Sequence, residues 1–255
     1  MNQQSVNKSP KRDTVLAIAV IASLTVGALI GWVLADTFED NDSQRPDEPY
    51  LPTIDPAKFT NIVDNEFFPL TPGKKTVYEG TTDAGLEHIE VLVLDETKVV
   101  MGVTCVVVRD TVSVDGAVTE DTYDWYAQDD EGNVWYMGED SKEYEGGEVV
   151  STAGSWEAGV DGALPGIVMV ADPQVGVSYR QEYYAGEAED MALVVSLTES
   201  ATVPYGSFQN LLMTSEWNPL EPGVVEHKYY AEGIGVVLEV TVVGGSDRIE
   251  LIQVT

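Results

Sequence analysis

Residues 124–137 read DWYAQDDEGNVWYM, and residues 228–240 read KYYAEGIGVVLEV. Self-similarity at a fixed spacing constrains a fold more than any local pattern, because each copy must form the same unit. Sliding the chain against itself by 103 or 104 positions aligns more than this one phrase. The segment FPLTPGKKTVYEG falls on ADPQVGVSYRQEYY, with Gly73 over Gly176. EHIEVLVLDET falls on DMALVVSLTES, with Glu87 over Asp190 and Glu96 over Glu199. Gly102 falls on Gly206, and Trp125-Tyr126-Ala127 on Tyr229-Tyr230-Ala231. Landmarks in the same order at one spacing predict an internal duplication. Repeat 1 covers about 68–138 and repeat 2 about 174–255, with a Gly-rich connecting loop at 139–173.

Each unit is written in strand language. HIEVLVLDE and ALVVSLTES are β-branched runs. Asp115-Gly116 interrupts an alternating stretch and supplies the positive φ angles of a two-residue hairpin. DWYAQDDEGNVWYM makes a second hairpin through Asp129 to Asn133, and its copy turns through Glu232 to Gly235. Strand parity separates Tyr123, Trp125 and Trp135 from Tyr126 and Tyr136, so one set lines the inner face. The fold class that follows is mainly β. It is a tandem duplicated antiparallel meander, forming a strongly curved sheet, open barrel or sandwich, preceded by one N-terminal transmembrane helix. The concave side of such a sheet needs side chains, a helix or a ligand to fill it.

That helix is TVLAIAVIASLTVGALIGWVLA, residues 14–35, without a charge and long enough to span a bilayer core. Lys8, Lys11 and Arg12 precede it and an acidic segment follows, so the positive-inside rule places residues 1–13 in the cytoplasm. Residues 36–57, acidic and carrying Pro46, Pro49, Pro52 and Pro56, read as an extended tether. Residues 58–255 form the extracytoplasmic domain of a single-pass cell-membrane protein. The alternative is secretion after signal cleavage near Ala35, although the apolar run exceeds an ordinary signal core. With 13 Lys and Arg against 44 Asp and Glu, the net charge is −31. A surface so acidic repels phosphate, which excludes nucleic acid as a partner. It suits a halophilic or marine source, where salt screens self-repulsion. Cys105 is the single cysteine, set in an apolar run, and it reads as a buried thiol.

The pattern HKYYAEGIGVVLEV followed by IELI resembles the closing strands of bacterial lipoprotein-carrier-type domains, open barrels that shuttle or sense lipids. The segments carrying the resemblance are 123–137 and 225–240, and the chain lacks a lipobox cysteine. GSWEAGVDGA followed by QEYYAGEAEDMA is similar to a set of uncharacterised exported β-rich proteins. The first resemblance implies an open barrel holding a small apolar or amphipathic ligand.

Candidate sites follow from side-chain chemistry. Trp125, Trp135, Trp156 and Tyr229 are the aromatic candidates for a ligand-lined concavity. Glu157, Asp161, Glu182, Glu187, Glu189, Asp190 and His227 are candidate ligands for Ca²⁺, a hard cation that takes carboxylate oxygens from flexible loops. Gly186 permits the turn that would gather four of them. Solvated acid is the ordinary reading of the same residues in so acidic a chain. The run QDDEGN lacks EF-hand spacing and reads as a plain hairpin. Ser155 has no G-x-S-x-G frame, and Glu87 and Glu90 fall on opposite strand faces, so neither a nucleophile elbow nor a glycosidase pair forms. The reading is a membrane-anchored, non-enzymatic binding protein. The alternative is a Ca²⁺-binding or structural surface protein, with a hydrolase last.

Overall fold

The structure, a computed structural model, describes residues 50–82 and 84–255. The expected membrane helix at 14–35 and residues 36–49 of the tether lie outside the described residues. A single 3₁₀ turn, Pro56–Lys58, is capped by Asp55 and leads into β1, Phe59–Thr60. Five strands then run as a meander: β2 Lys75–Thr82, β3 Gly85–Val100, β4 Val103–Val114, β5 Ala117–Asp129 and β6 Val134–Glu145. Short strands follow: β7 Glu148–Ser151, β8 Trp156–Glu157, β9 Leu164–Met169, β10 Ser178–Arg180 and β11 Glu182–Tyr183. The second meander is β12 Met191–Val203, β13 Gly206–Trp217, β14 Val225–Ala231, β15 Gly235–Val243 and β16 Arg248–Val254.

These strands form one antiparallel sheet in the order β10-β12-β13-β14-β15-β16-β2-β3-β4-β5-β6-β9-β11. Its two ends, β10 and β11, are separated in sequence only by Gln181. The sheet therefore curls into a nearly closed barrel, with residues 178–183 as the seam. β10 pairs with β12, β11 pairs with β9, and the Gln181 amide donates to the Asp190 carbonyl at 2.8 Å. Gly166 makes the seam fit, because a Cβ there would sit 2.2 Å from the Gln181 carbonyl. β16 pairs with β2, so the last strand of the second meander joins the first strand of the first.

Strand boundaries recur along the chain. β3 and β12 end at Val100 and Val203, while β4 and β13 run 103–114 and 206–217, a spacing of 103. Asp115 and Gly116 adopt φ of 49° and 82°, as the hairpin between β4 and β5 demands. The echoed phrases carry the same irregularity. The β5–β6 ladder slips between Asp124 and Tyr126, and the β14–β15 ladder slips between Tyr229 and Tyr230. A bulge turns consecutive side chains to the same side. This is why Trp125, Tyr126 and Ala127 are all buried, as are Tyr230 and Ala231.

Three segments depart from expectation. Residues 139–173 are not an irregular loop: they finish β6 and supply β7 to β9, and β9 is a wall of the barrel. Their many glycines hide the short strands from a propensity reading. Residues 50–57, expected in the tether, lie against the domain. Tyr50 donates to the Pro165 carbonyl at 2.7 Å and its ring meets Tyr183 edge-on. Residues 61–74 form a plug across one end of the barrel, contributing Val63, Phe68 and Leu70 to the core.

Candidate functional site

The two echoed turns lie at the same end of the barrel, and the plug grips both. Asn65 Nδ2 donates to the carbonyls of Gly132 and Val170 at 3.0 and 3.2 Å. On the other side the Gly233 amide donates to the Glu66 carbonyl at 2.8 Å. Gln128 Oε1 accepts from the amides of Asp64 and Asn65. Below the plug, Phe68 meets Tyr126 edge-on, and Tyr126 stacks on Tyr136 at 4.8 Å. Tyr126 and Tyr136 are the inner set of the parity reading, and both are buried.

Between the plug and the wall is a pocket of about 50 Å³, room for a few water-sized groups. Phe68, Leu70, Val91, Val93, Ile234 and Val236 give it an apolar lining, with Tyr78 and Lys74 among its polar members. The Tyr78 hydroxyl donates to the Val236 carbonyl at 3.1 Å. Lys74 Nζ donates to the carbonyls of Ile234 and Pro69 at 2.6 and 3.3 Å. No ion pair among the described residues involves Lys74. Partial burial pushes its pKa down. In a chain with more than three acidic residues per basic one, an ammonium unclaimed by carboxylate is a distinctive feature.

The opposite half of the interior is acidic. Glu87, Asp110, Asp124, Glu139, Glu182, Glu216, Glu226 and Glu239 are all buried, with Lys228 the one buried basic residue among the described residues. One ammonium cannot balance eight carboxylates, so most of them must hold protons or be expelled. Lys228 is claimed by Glu216 at 3.0 Å and Glu239 at 3.7 Å. Glu216 also accepts from Thr214 and Tyr230. Burial opposes the charge on Lys228, but Glu216, Glu239 and Glu226 more than offset this and raise its pKa. Elsewhere burial lifts the carboxyls. Asp124 rises to about 7, against which the Tyr136 hydroxyl donates at 2.6 Å to Oδ1. Glu182 also rises to about 7. Asp110, pushed well above the carboxylate range by burial and by the Asp124 charge, has neither oxygen hydrogen-bonded.

The expected site residues are dispersed. Trp125 lies under Lys98, whose Nζ is 3.2 Å from the ring centroid, and Trp135 meets Phe59 while donating to Asp129. Trp156 is buried beside the seam and donates to Glu182 Oε2 at 2.9 Å. Tyr229 is half-buried on β14, with the parity opposite to inward-facing Lys228 and Tyr230. None of the four lines the pocket. Among the cation candidates, Glu157 is taken by Lys98 at 2.7 Å and Glu189 accepts from the Gly186 amide. Asp161 and Glu187 are exposed, and His227 sits partly buried on β14. Glu182 and Asp190 alone come together, bonded to each other at the seam. Among the described residues, no three His, Cys, Asp or Glu side chains form a group that could hold a metal ion. Cys105 is fully buried, and its thiol is pushed up to about 12 by burial. Glu87 and Glu90 point to opposite faces, Glu87 inward and Glu90 out to Lys75.

The pocket residues and, Glu182 apart, the inward role of the buried carboxyls escaped the sequence reading. One signal was available: Glu226, Lys228 and Tyr230 share parity, as do Asp124 and Tyr126, so an inward tyrosine carries its acidic neighbours inward with it.

Fold and site define a nearly closed, plugged antiparallel β-barrel with a small apolar pocket at one end and acid at the other. No protein-family model matches the sequence, and no curated protein matches it. A crystal structure of a "putative lipoprotein" from Parabacteroides distasonis ATCC 8503 is similar at a TM-score of 0.41 and 14% identity, over 75% of this chain and 99% of that one. So distant a likeness carries no argument about this chain.

Proposed function

We propose that this chain is an extracytoplasmic binding protein, held to the membrane by residues 14–35, that takes a small amphipathic molecule at the plugged end of its barrel. On this reading the barrel arose by duplication, with β3 to β6 answered by β12 to β15, and the plug joins the two copies at their echoed turns. The apolar part of the ligand enters between Phe68, Leu70 and Val93, and its polar end meets Lys74. The observation that carries the reading is Lys74 itself: a half-buried ammonium, held by two carbonyls over an apolar pocket, with no carboxylate partner among the described residues. At about 50 Å³ the pocket suits the end of a chain rather than a whole lipid. Binding is the chemistry such a site offers, since it holds an apolar wall and one charge.

Titration of the full-length chain with octanoate and with octanol, followed by native mass spectrometry, tests this. Both probes are expected to bind, octanoate more tightly. Lys74→Met is expected to weaken octanoate about tenfold, the loss of one charge-assisted hydrogen bond, and to leave octanol unchanged. Failure of both probes to bind at millimolar concentration overturns the proposal.

A further inference from the structure

The barrel is thinnest where it closes. β12 and β13 share a ladder of ten paired residues, whereas the seam holds on one side by Ser178, Tyr179 and Arg180 against β12. On its other side it holds by Glu182 and Tyr183 against β9. The partner of Glu182 is Pro165, which has no N–H to donate. Few backbone bonds therefore keep residues 178–183 in place, and side chains decide whether they stay.

Those side chains are carboxyls. Glu182 on the seam strand and Asp190, which follows it into β12, hydrogen-bond to each other. Two ionised carboxylates can only accept, so one of this pair carries a proton. Facing them from β6 is Glu139, and from β5 Asp124, whose charges act on Glu182. Tyr136 on β6 bonds to both Asp124 and Glu139. Glu120 and Asp110 stand further along β5 and β4, and their charges act on this group or are acted on by it. Trp156 on β8 donates to Glu182. Of the nearby cations, Lys228 acts on Asp190, but it is already paired with Glu216, whose own charge opposes that effect. Arg180 turns to the rings of Tyr183 and Tyr50 at 4.6 and 5.5 Å. No metal-holding group exists among the described residues. The cation that fits between these carboxyls is a proton.

We propose that the seam is a proton-operated latch: a proton shared between Glu182 and Asp190 holds the barrel shut, and ionisation of Asp124, Glu139, Glu182 and Asp190 together releases residues 178–183 from β9 and β12. The driving force is repulsion among four like charges at low dielectric, which Lys228, acting on Asp190 but already paired with Glu216, does not balance. The sign follows from linkage. Burial lifts Asp124 from 3.8 and Glu182 from 4.5 to about 7 in the closed state, so that state binds protons more tightly than the open one. Closure is fully supported below the ordinary carboxylate range and is lost as pH rises through about 7. Opening would expose the acidic half of the interior and leave the plugged end in place.

Hydrogen exchange of the full-length chain, read by mass spectrometry at pH 6 and pH 9 with labelling times scaled for chemical exchange, tests the latch. Exchange across residues 178–183 is expected to rise about tenfold or more at pH 9, while β13 stays protected. In Glu182→Gln/Asp190→Asn, whose neutral amides keep the hydrogen bonds, the seam is expected to stay protected at both pH values. Glu139→Gln, which removes one repelling charge, is expected to move opening to higher pH, and it serves if the double variant does not fold. Equal protection of the wild-type seam at both pH values, a pH dependence surviving in the double variant, or an unmoved midpoint in Glu139→Gln overturns the proposal.

Discussion

Lys228 shows how a single side chain can hold a strained interior together. It is 3% exposed and lies between Glu216 and Glu239, so its ammonium turns two buried acids into a bonded group. Removing one partner of a buried pair strands the other, which costs more than the pair itself contributes. Lys228→Met is therefore expected to lower stability by about 3–5 kcal/mol at pH 7. The loss should shrink as pH falls from 7 toward 5, because burial already lifts the Glu239 carboxyl and, without Lys228 to lower it, Glu239 takes up a proton more readily still. Urea melts of both proteins at pH 5 and 7 check this, and an equal loss at the two values would contradict it. Lys228 and Asp124 occupy corresponding places beside the echoed Tyr-Tyr-Ala and Trp-Tyr-Ala, yet one is a cation and the other an acid. The two echoed phrases therefore differ in the charge they bury.

At the scale of elements, the plug and the seam are opposite kinds of closure. The plug is pinned by side-chain and backbone hydrogen bonds to rigid turns, and Gly132 and Gly235, with φ of 97° and 101°, give those turns their shape. Asn65 contributes three of its bonds: two donated from Nδ2, and one accepted by Oδ1 from the Phe67 amide. Asn65→Ala leaves the part-buried carbonyls of Gly132 and Val170 without this donor and is expected to cost about 1–3 kcal/mol. Its effect should be local, as faster hydrogen exchange over residues 61–74 with β3 and β4 unchanged. Loss of protection throughout the barrel would show instead that the plug is part of the cooperative core. Residues 61–74 were not legible as a plug. FFPL looks like the lead into a strand, and only the closed barrel supplies an end to cap.

For the whole molecule, the acid that dominates the composition divides into an outer and an inner population. A minority of the outer one pairs with lysine and arginine at the surface, as Glu90 does with Lys75 and Asp121 with Arg109. Part of the inner one is bonded through protons, hydroxyls and Lys228, while neither oxygen of Asp110 is hydrogen-bonded. Neither arrangement gathers three carboxylates in metal-holding geometry among the described residues. Millimolar Ca²⁺ at high ionic strength, or its removal by a chelator, is thus expected to leave the Tm of the full-length chain unmoved. A rise of several degrees with Ca²⁺ would reveal a site formed by rearrangement or by residues 1–49.

Parity, β-branched runs and Asp-Gly punctuation were enough to read an antiparallel β chain, its main hairpins and the burial of Cys105, but not which of the two aromatic sets faces inward. These features depend on neighbours along the chain, and local chemistry reports them. Closure at Gln181, the plug, the pocket around Lys74 and the inward acids depend on which distant strands meet. A carboxylate at an inward position looks no different in sequence from one in water. The curl of the sheet, set by strand pairing across as many as 178 positions, from Thr76 on β2 to Val254 on β16, decides which face becomes an interior. The same curl brings the two ends of the sheet together at a segment of six residues, 178–183.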